Sequence, residues 1–305
     1  MLGGAGRSYE FAHVPGSISP DRDSGSLAAV DSTAQELASI DGRISPTAEA
    51  SIPLKDDGLY RGDGVFEVIR LYGGSPFALA DHLDRLERSA AVIELTVERA
   101  ALEGEIGALL AEFGSGDGQL RILITRGGRR IAVTEPLPER AETIRLATVT
   151  YAPSVILTGV KSLSYAANMQ ATRLAQAQGA DEAVLVTPDG VVLEAPTSTT
   201  FWVSPQGTLR TPSLESGVLQ SITRARIVEA LEVEEGAWPV ADLRAAGEAF
   251  LASTTREVQA VSAIDGSEME RAPGERTAEA QAAFSEALGR ELQHQSTALR
   301  REPSQ

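Results

Sequence analysis

Residues 62–74 constrain the fold more than any other stretch. Gly62-Asp63-Gly64 punctuates the chain, Val65, Phe66, Val68, Ile69, Leu71 and Tyr72 follow, and Gly73-Gly74 closes the run. Apolar residues at both parities between glycines read as a buried strand. The period then changes. In 81–95, Leu83, Leu86, Ala90 and Ile93 fall on one helical face, with His82, Asp84, Arg85 and Arg88 around it. A second helix is expected over 98–113, ended by Gly114-Ser115-Gly116-Asp117-Gly118. Leu37–Gly42 reads as a strand entering a turn, 120–125 alternates as a strand, and 143–149 is another. Strands mixed with two helices make residues 37–148 a small α/β unit in an α+β chain.

Tyr151-Ala152-Pro153-Ser154 breaks the pattern, so 149–156 reads as a linker. Beyond it, 157–292 forms a larger unit. A helix is expected over 165–178, capped by Gly179. Short strands follow at 183–186, 191–193, 199–203, 208–211, 249–252 and 258–264, with helices over 221–233 and 277–293. This order predicts a meander of strands rather than βαβ units. Residues 1–36, rich in Gly, Ser, Asp and Ala, read as a mobile extension, and 293–305 as a polar tail that frays.

Charge and composition exclude several function classes. The formal net charge is −16, which repels nucleic acid and anionic membrane. There is no cysteine, so thiolate chemistry and Cys-ligated zinc are excluded. His13, His82 and His294 are scattered and form no metal-binding motif. No apolar run approaches the ~20 residues of a membrane span. The start of the chain lacks the apolar core of a signal peptide. A cytoplasmic enzyme is the expectation.

Lys161 is the leading chemical candidate. The chain contains only two lysines, Lys55 and Lys161, among 27 basic residues. Arginine serves equally well as a surface charge, but only lysine can lose its proton and act as an amine nucleophile. Lys161 sits in Gly159-Val160-Lys161-Ser162-Leu163-Ser164-Tyr165, where apolar neighbours lower an amine's pKa. The alternative is a leftover surface lysine, which suits Lys55 beside Asp56 and Asp57. Other residues carry similar alternatives. Arg85 reads as a solvated helix charge. Glu194, at the end of an apolar return strand, is an outward edge residue or a buried carboxylate needing a partner. Arg126, Arg129 and Arg130 form a basic turn that either holds a substrate carboxylate or is an exposed tip. Ser221-Ile222-Thr223 is an N-cap or an anion site at a helix start. Ser253-Thr254-Thr255, at a strand end, cradles an anion or simply turns the chain. Gly62-Asp63-Gly64 is not a dinucleotide fingerprint, because it lacks the third glycine and precedes a strand.

Six blocks in order resemble the class IV, fold-type IV pyridoxal-phosphate aminotransferases, including branched-chain and D-amino-acid aminotransferases and aminodeoxychorismate lyase. They are 62–70, His82-Leu83-Asp84-Arg85-Leu86, 161–164, Gly190-Val191-Val192-Leu193-Glu194, 221–224 and 253–258. The resemblance spans roughly 37–270 and implies a small domain and a larger, barrel-like one with cofactor between them. It implies pyridoxal 5′-phosphate carried covalently by Lys161, and Glu194 facing the pyridine nitrogen. Arg85, Ile222, Thr223, Ser253 and Thr254 would hold the phosphate. Tyr165 is a further cofactor contact, although branched-chain enzymes place their tyrosine one residue later. Phe66, Arg70, Thr255 and one of Arg126, Arg129 and Arg130 would meet substrate. The implied activity is amino transfer between an amino acid and a 2-oxo acid in a homodimer. The alternative is aminodeoxychorismate lyase chemistry, which releases p-aminobenzoate and pyruvate. Thr199 stands where the family commonly has asparagine.

Overall fold

Backbone pairing sorts the strands into two sheets. The computed structural model describes residues 36–299, with 294–299 traced by backbone only. The first sheet holds β1 (Leu37–Ile40), β2 (Arg43–Pro46), β3 (Gly64–Tyr72), β4 (Ser75–Pro76), β5 (Gly118–Thr125) and β6 (Arg130–Glu135), in the order β2-β1-β6-β5-β3-β4. Every pairing in it is antiparallel. Helices α1 (Asp57–Arg61), α2 (Leu79–Val92) and α3 (Arg99–Phe113) accompany it.

Strand alternation sets the two faces of β3. Val65, Ile69 and Leu71 pack with Leu83, Leu86 and Ala90 of α2 and with Leu102, Ile106 and Leu109 of α3. Phe66, Val68 and Arg70 point the other way, opposite Leu123, Arg121 and Gln119 of β5. The helix stripe expected from sequence is therefore the one that packs. Strand β6 was not anticipated, because its Ile131-Ala132-Val133 follows directly on the basic turn.

The second sheet holds β7 (Thr143–Thr150), β8 (Glu182–Val186), β9 (Thr199–Val203), β10 (Leu209–Pro212), β11 (Glu234–Gly236), β12 (Glu248–Ser253), β13 (Glu257–Ile264) and β14 (Ser267–Glu268). Its main path runs β11-β10-β9-β12-β13-β7-β8. Helices α4 (Ala166–Ala177), α5 (Ile222–Ala230), α6 (Val240–Arg244) and α7 (Glu275–Leu299) complete the fold.

Three expectations need correction. First, the sequence pattern assigns 143–149 to the small unit, whereas β7 lies in the second sheet between β13 and β8. Second, β7 pairs parallel to β8, so β7-α4-β8 is a βαβ crossover within what was read as a pure meander. Parallel neighbours need a long connection, and this one, residues 151–181, carries Lys161. Third, α7 continues through 294–299, where the tail was expected to fray. The expected N-terminal extension falls outside the described residues, apart from Glu36.

The crossover connection touches the first sheet. The Phe66 N–H donates to the Lys161 carbonyl at 3.0 Å, the Leu163 N–H donates to the Gly64 carbonyl at 2.9 Å, and Val65 bridges Ser162. This approach explains the glycines ahead of β3. A Cβ on Gly64 would lie 2.4 Å from the Ile124 carbonyl oxygen and 2.6 Å from Leu163 Cδ1. Gly62 has φ 66, in the left-handed region, and a Cβ there would crowd the Ser164 backbone at 3.1 Å. Phe77, just after β4, joins the apolar cluster of the second sheet and meets Phe284 of α7 edge-on at 5.4 Å.

Gly64→Ala is therefore expected to cost about 1–3 kcal/mol of stability, because its Cβ would press on the Ile124 carbonyl of β5 and on Leu163 of the lysine segment. Urea unfolding measures it. An unchanged midpoint would show that the contact is slack.

Candidate active site

Glu67 lies at the centre of β3 and has no exposure. It shares the core-facing side with Val65 and Ile69. Two residues of α2 accept it there: Arg85 donates Nε to Oε1 at 2.7 Å and Nη2 to Oε2 at 2.6 Å, and His82 Nδ1 stands 2.8 Å from Oε2. Burial pushes the Glu67 pKa up, but the Arg85 charge and the hydrogen bonds from Arg85 and His82 outweigh it and bring it down to about 2. Burial in turn pushes His82 below its ordinary value. A neutral His82 donates through Nδ1, so its Nε2 accepts from the Thr254 hydroxyl at 3.4 Å. Arg85 is thus 5% exposed and not a solvated helix charge.

This cluster gathers the segments that the sequence offers as candidate anion sites. The Arg85 Nη1 donates to the Gln220 carbonyl at 3.1 Å, just before α5. Ser221 caps α5, its hydroxyl accepting the Arg224 N–H at 3.2 Å. The N–H groups of Ile222 and Thr223 precede the first intrahelical bond, which runs from Ala225 to Ser221. The Thr223 hydroxyl is buried and has no partner among the described residues. Through His82, Thr254 joins the same group. Arg85, the start of α5 and the end of β12 therefore converge from three distant parts of the chain.

Lys161 sits beside this cluster, within reach of the Arg85 and Glu67 charges. Its Nζ lies 4.3 Å from the centre of the Phe66 ring, and its N–H donates to the Ser89 hydroxyl of α2 at 3.2 Å. The residue as a whole is half-buried, but its amine end is enclosed. Burial, and then the Arg85 charge, lower its pKa to about 8, against the pull of Glu67 and Glu194. Glu194 behaves in the opposite sense. Burial raises its pKa to about 7, although the Leu219 N–H and the charges of Lys161 and Arg85 oppose the shift. That N–H, at 3.1 Å, is the hydrogen bond its carboxylate receives. Glu194 is therefore not an outward edge residue but an acid that lacks a full cationic partner.

The family model for class IV amino-transferases matches residues 64–264. The chain belongs to that family. It is 32% identical over 271 residues to D-alanine aminotransferase of Bacillus licheniformis, spanning 81% of this chain and 95% of that protein. A putative branched-chain-amino-acid aminotransferase of Methanocaldococcus jannaschii is 31% identical over 252 residues, spanning 74% of this chain and 87% of the relative. Among solved structures, the fold IV-transaminase CpuTA1 of Curtobacterium pusillum superposes with a TM-score of 0.74 at 26% identity, covering 83% of this chain and 98% of that one. The two-sheet architecture is the fold-type IV fold.

Class IV aminotransferases depend on pyridoxal 5′-phosphate. The residues present fit that group. An orphaned buried hydroxyl on Thr223 and a helix start suit a phosphate, Glu194 suits a protonated ring nitrogen, and Lys161 is an amine close to neutrality.

Other sequence candidates are differently placed. The Tyr165 ring meets Phe66 edge-on at 5.3 Å, and its hydroxyl donates to the Pro196 carbonyl. Arg70 is paired with Glu257 at 2.8 Å and donates to the Thr255 carbonyl at 3.4 Å. Ser253 accepts the Arg256 N–H at 3.3 Å. The three turn arginines are all engaged inside the first sheet's unit. Arg126 forks onto Asp63, Arg129 meets Asp41 at 2.7 Å, and Arg130 meets Glu105 and Glu98. None presents a guanidinium free of an acid.

Sequence reading missed Glu67, His82 and Arg121. Glu67 interrupts an otherwise apolar strand and stands opposite helix residues of complementary charge, which was the available signal. Arg121 projects from β5 on the Phe66 side, is held by Glu135 at 2.9 Å, and its charge reaches Lys161. Its strand reads as ordinary alternation, so only register reveals it.

In cofactor-free protein, reductively methylated Lys161 should titrate near pH 8 by NMR. A midpoint at the ordinary lysine value of 10.5 would contradict the enclosure described here.

Proposed function

We propose that this aminotransferase binds pyridoxal 5′-phosphate and moves an amino group between an amino acid and a 2-oxo acid. The observation that carries the proposal is the opposed pair of shifted groups, an amine lowered to about 8 and an acid raised to about 7, beside a ready anion cup. When bound, the cofactor supplies an electron-accepting ring and an aldehyde carbon that takes the amino group. Lys161 would anchor it covalently. Glu194 would hold a proton on the ring nitrogen, and the cation there would keep the carboxylate ionised. Arg85, the N–H groups of Ile222 and Thr223, and the hydroxyls of Thr223, Ser253 and Thr254 would take the phosphate. In its neutral form, the Lys161 Nζ accepts the α-proton of the amino acid and later returns it. A pKa near 8 keeps an appreciable neutral fraction at physiological pH.

Phe66 borders the reacting centre, and Thr255 and Arg70 stand further along the same side. We further infer a homodimer in the cytoplasm. Leu54, Leu59, Tyr60, Val155 and Ile156 are exposed and offer a second copy apolar surface. No described helix is long and apolar enough to cross a membrane.

The test is a panel of L- and D-amino acids with two 2-oxo acids, run on the native chain and on two variants. Lys161→Ala should abolish transfer and leave no borohydride-reducible link to the cofactor. Glu194→Ala should still bind the cofactor but lose at least about 100-fold in rate. An unchanged Glu194→Ala rate would remove the ring-nitrogen role. Release of p-aminobenzoate from aminodeoxychorismate without transamination would replace the reading with the lyase.

A further inference from the structure

Arg256 stands between Thr255 and Glu257, and nothing in the chemistry above uses it. Its side chain is 8% exposed and pairs with Glu182 of β8, 7% exposed, at 2.5 Å. A guanidinium ordinarily stays in water, because burying a charge carries a large desolvation cost. Its contacts show what it joins. Nε donates to the Ser198 hydroxyl at 3.0 Å, and Nη1 donates to the Gln259 side chain. Its backbone N–H donates to the Ser253 hydroxyl at 3.3 Å, which leaves the hydroxyl hydrogen of Ser253 free to point elsewhere.

Ser198 closes the turn that begins directly after Glu194. The Ala195 N–H donates to the Ser198 carbonyl at 2.9 Å. The other contacts of that turn come from the remaining site segments. The Thr197 hydroxyl donates to the second oxygen of Glu182 at 3.0 Å. The Pro196 carbonyl accepts from the Tyr165 hydroxyl and from Asn168 Nδ2 at 3.4 Å. The 195–198 turn therefore receives the segment after Lys161 on one side and the end of β12 on the other.

We infer that Arg256, braced by Glu182, is a positioning residue that holds the Ser253–Thr254 end of the phosphate cup at a set distance from Glu194. A guanidinium suits the task. Its planar fork reaches Ser198, Glu182 and Gln259 at once, which a lysine ammonium on a flexible stem does not. The inference rests on the cofactor reading above. It adds that the spacing between the two ends of the cofactor is set by an ion pair that touches neither end.

The experiment compares two aldehydes, pyridoxal 5′-phosphate and pyridoxal, which differ only in the phosphate. Binding is followed by absorbance and by borohydride trapping on Lys161. The variants are Arg256→Lys and the charge-neutral pair R256M/E182Q, which avoids stranding a buried carboxylate. Both should bind pyridoxal 5′-phosphate about tenfold or more weakly, the loss of a charge-assisted contact, while binding pyridoxal as the native chain does. A parallel loss for both aldehydes would make Arg256 a general structural residue and overturn the inference. So would unchanged affinity for the phosphate ester. If the native chain traps neither aldehyde, the cofactor reading itself fails, an outcome separate from both.

Discussion

The Glu67–Arg85 pair holds the site together. A carboxylate with no exposure in the middle of a strand is tolerable only when its lone pairs are taken by charged donors. Arg85 presents two N–H groups to it, and this orientation fixes the rest of the guanidinium. The remaining nitrogen faces Gln220 at the threshold of α5. One ion pair therefore ties the packing of α2 on the first sheet to the start of α5 beside the second. His82 extends the same logic to Thr254. Removing either charge would leave the other buried and uncompensated, so the cluster acts as one unit.

Lysine placement follows from topology. A parallel neighbour cannot be reached by a tight turn, so the chain leaves β7, crosses over and returns as β8. The outbound stretch is long enough to reach the first sheet, where it adds backbone bonds beside β3. Gly62 lies against Ser164 of that segment, and Gly64 is hemmed in by Leu163 of the segment and by the Ile124 carbonyl of β5. The amine thus comes from a segment bonded to the first sheet, with its Nζ over the Phe66 ring and its backbone N–H on the Ser89 hydroxyl of α2.

Opposite shifts at Lys161 and Glu194 come from one cause, enclosure, acting on a cation and an anion. Their mutual attraction only partly offsets it. In the proposed function, a cationic ring against Glu194 would relieve that group, and a covalent bond at Nζ would relieve the other. The enclosure that makes both groups costly would, on that proposal, make them respond to one ligand.

Much of this was legible in the residues. Glycine-bounded apolar runs and helical stripes marked β3, α2, α3, β5, β12 and β13 near their observed positions, because burial selects residues with the period of the element. Scarcity of lysine singled out Lys161, since arginine cannot replace an amine nucleophile. What the sequence alone left open was which partner each charged residue meets. Arg85 and Arg126 look alike in a string of letters, yet one faces the buried acid Glu67 and the other stitches a hairpin to Asp63. The parallel pairing of β7 with β8, the register that aims Arg121, and the meeting of Arg256 with Ser198 join residues tens of positions apart. Local propensity carries no information about such pairs. Only the folded chain decides them, because electrostatic energy depends on distance and burial in space.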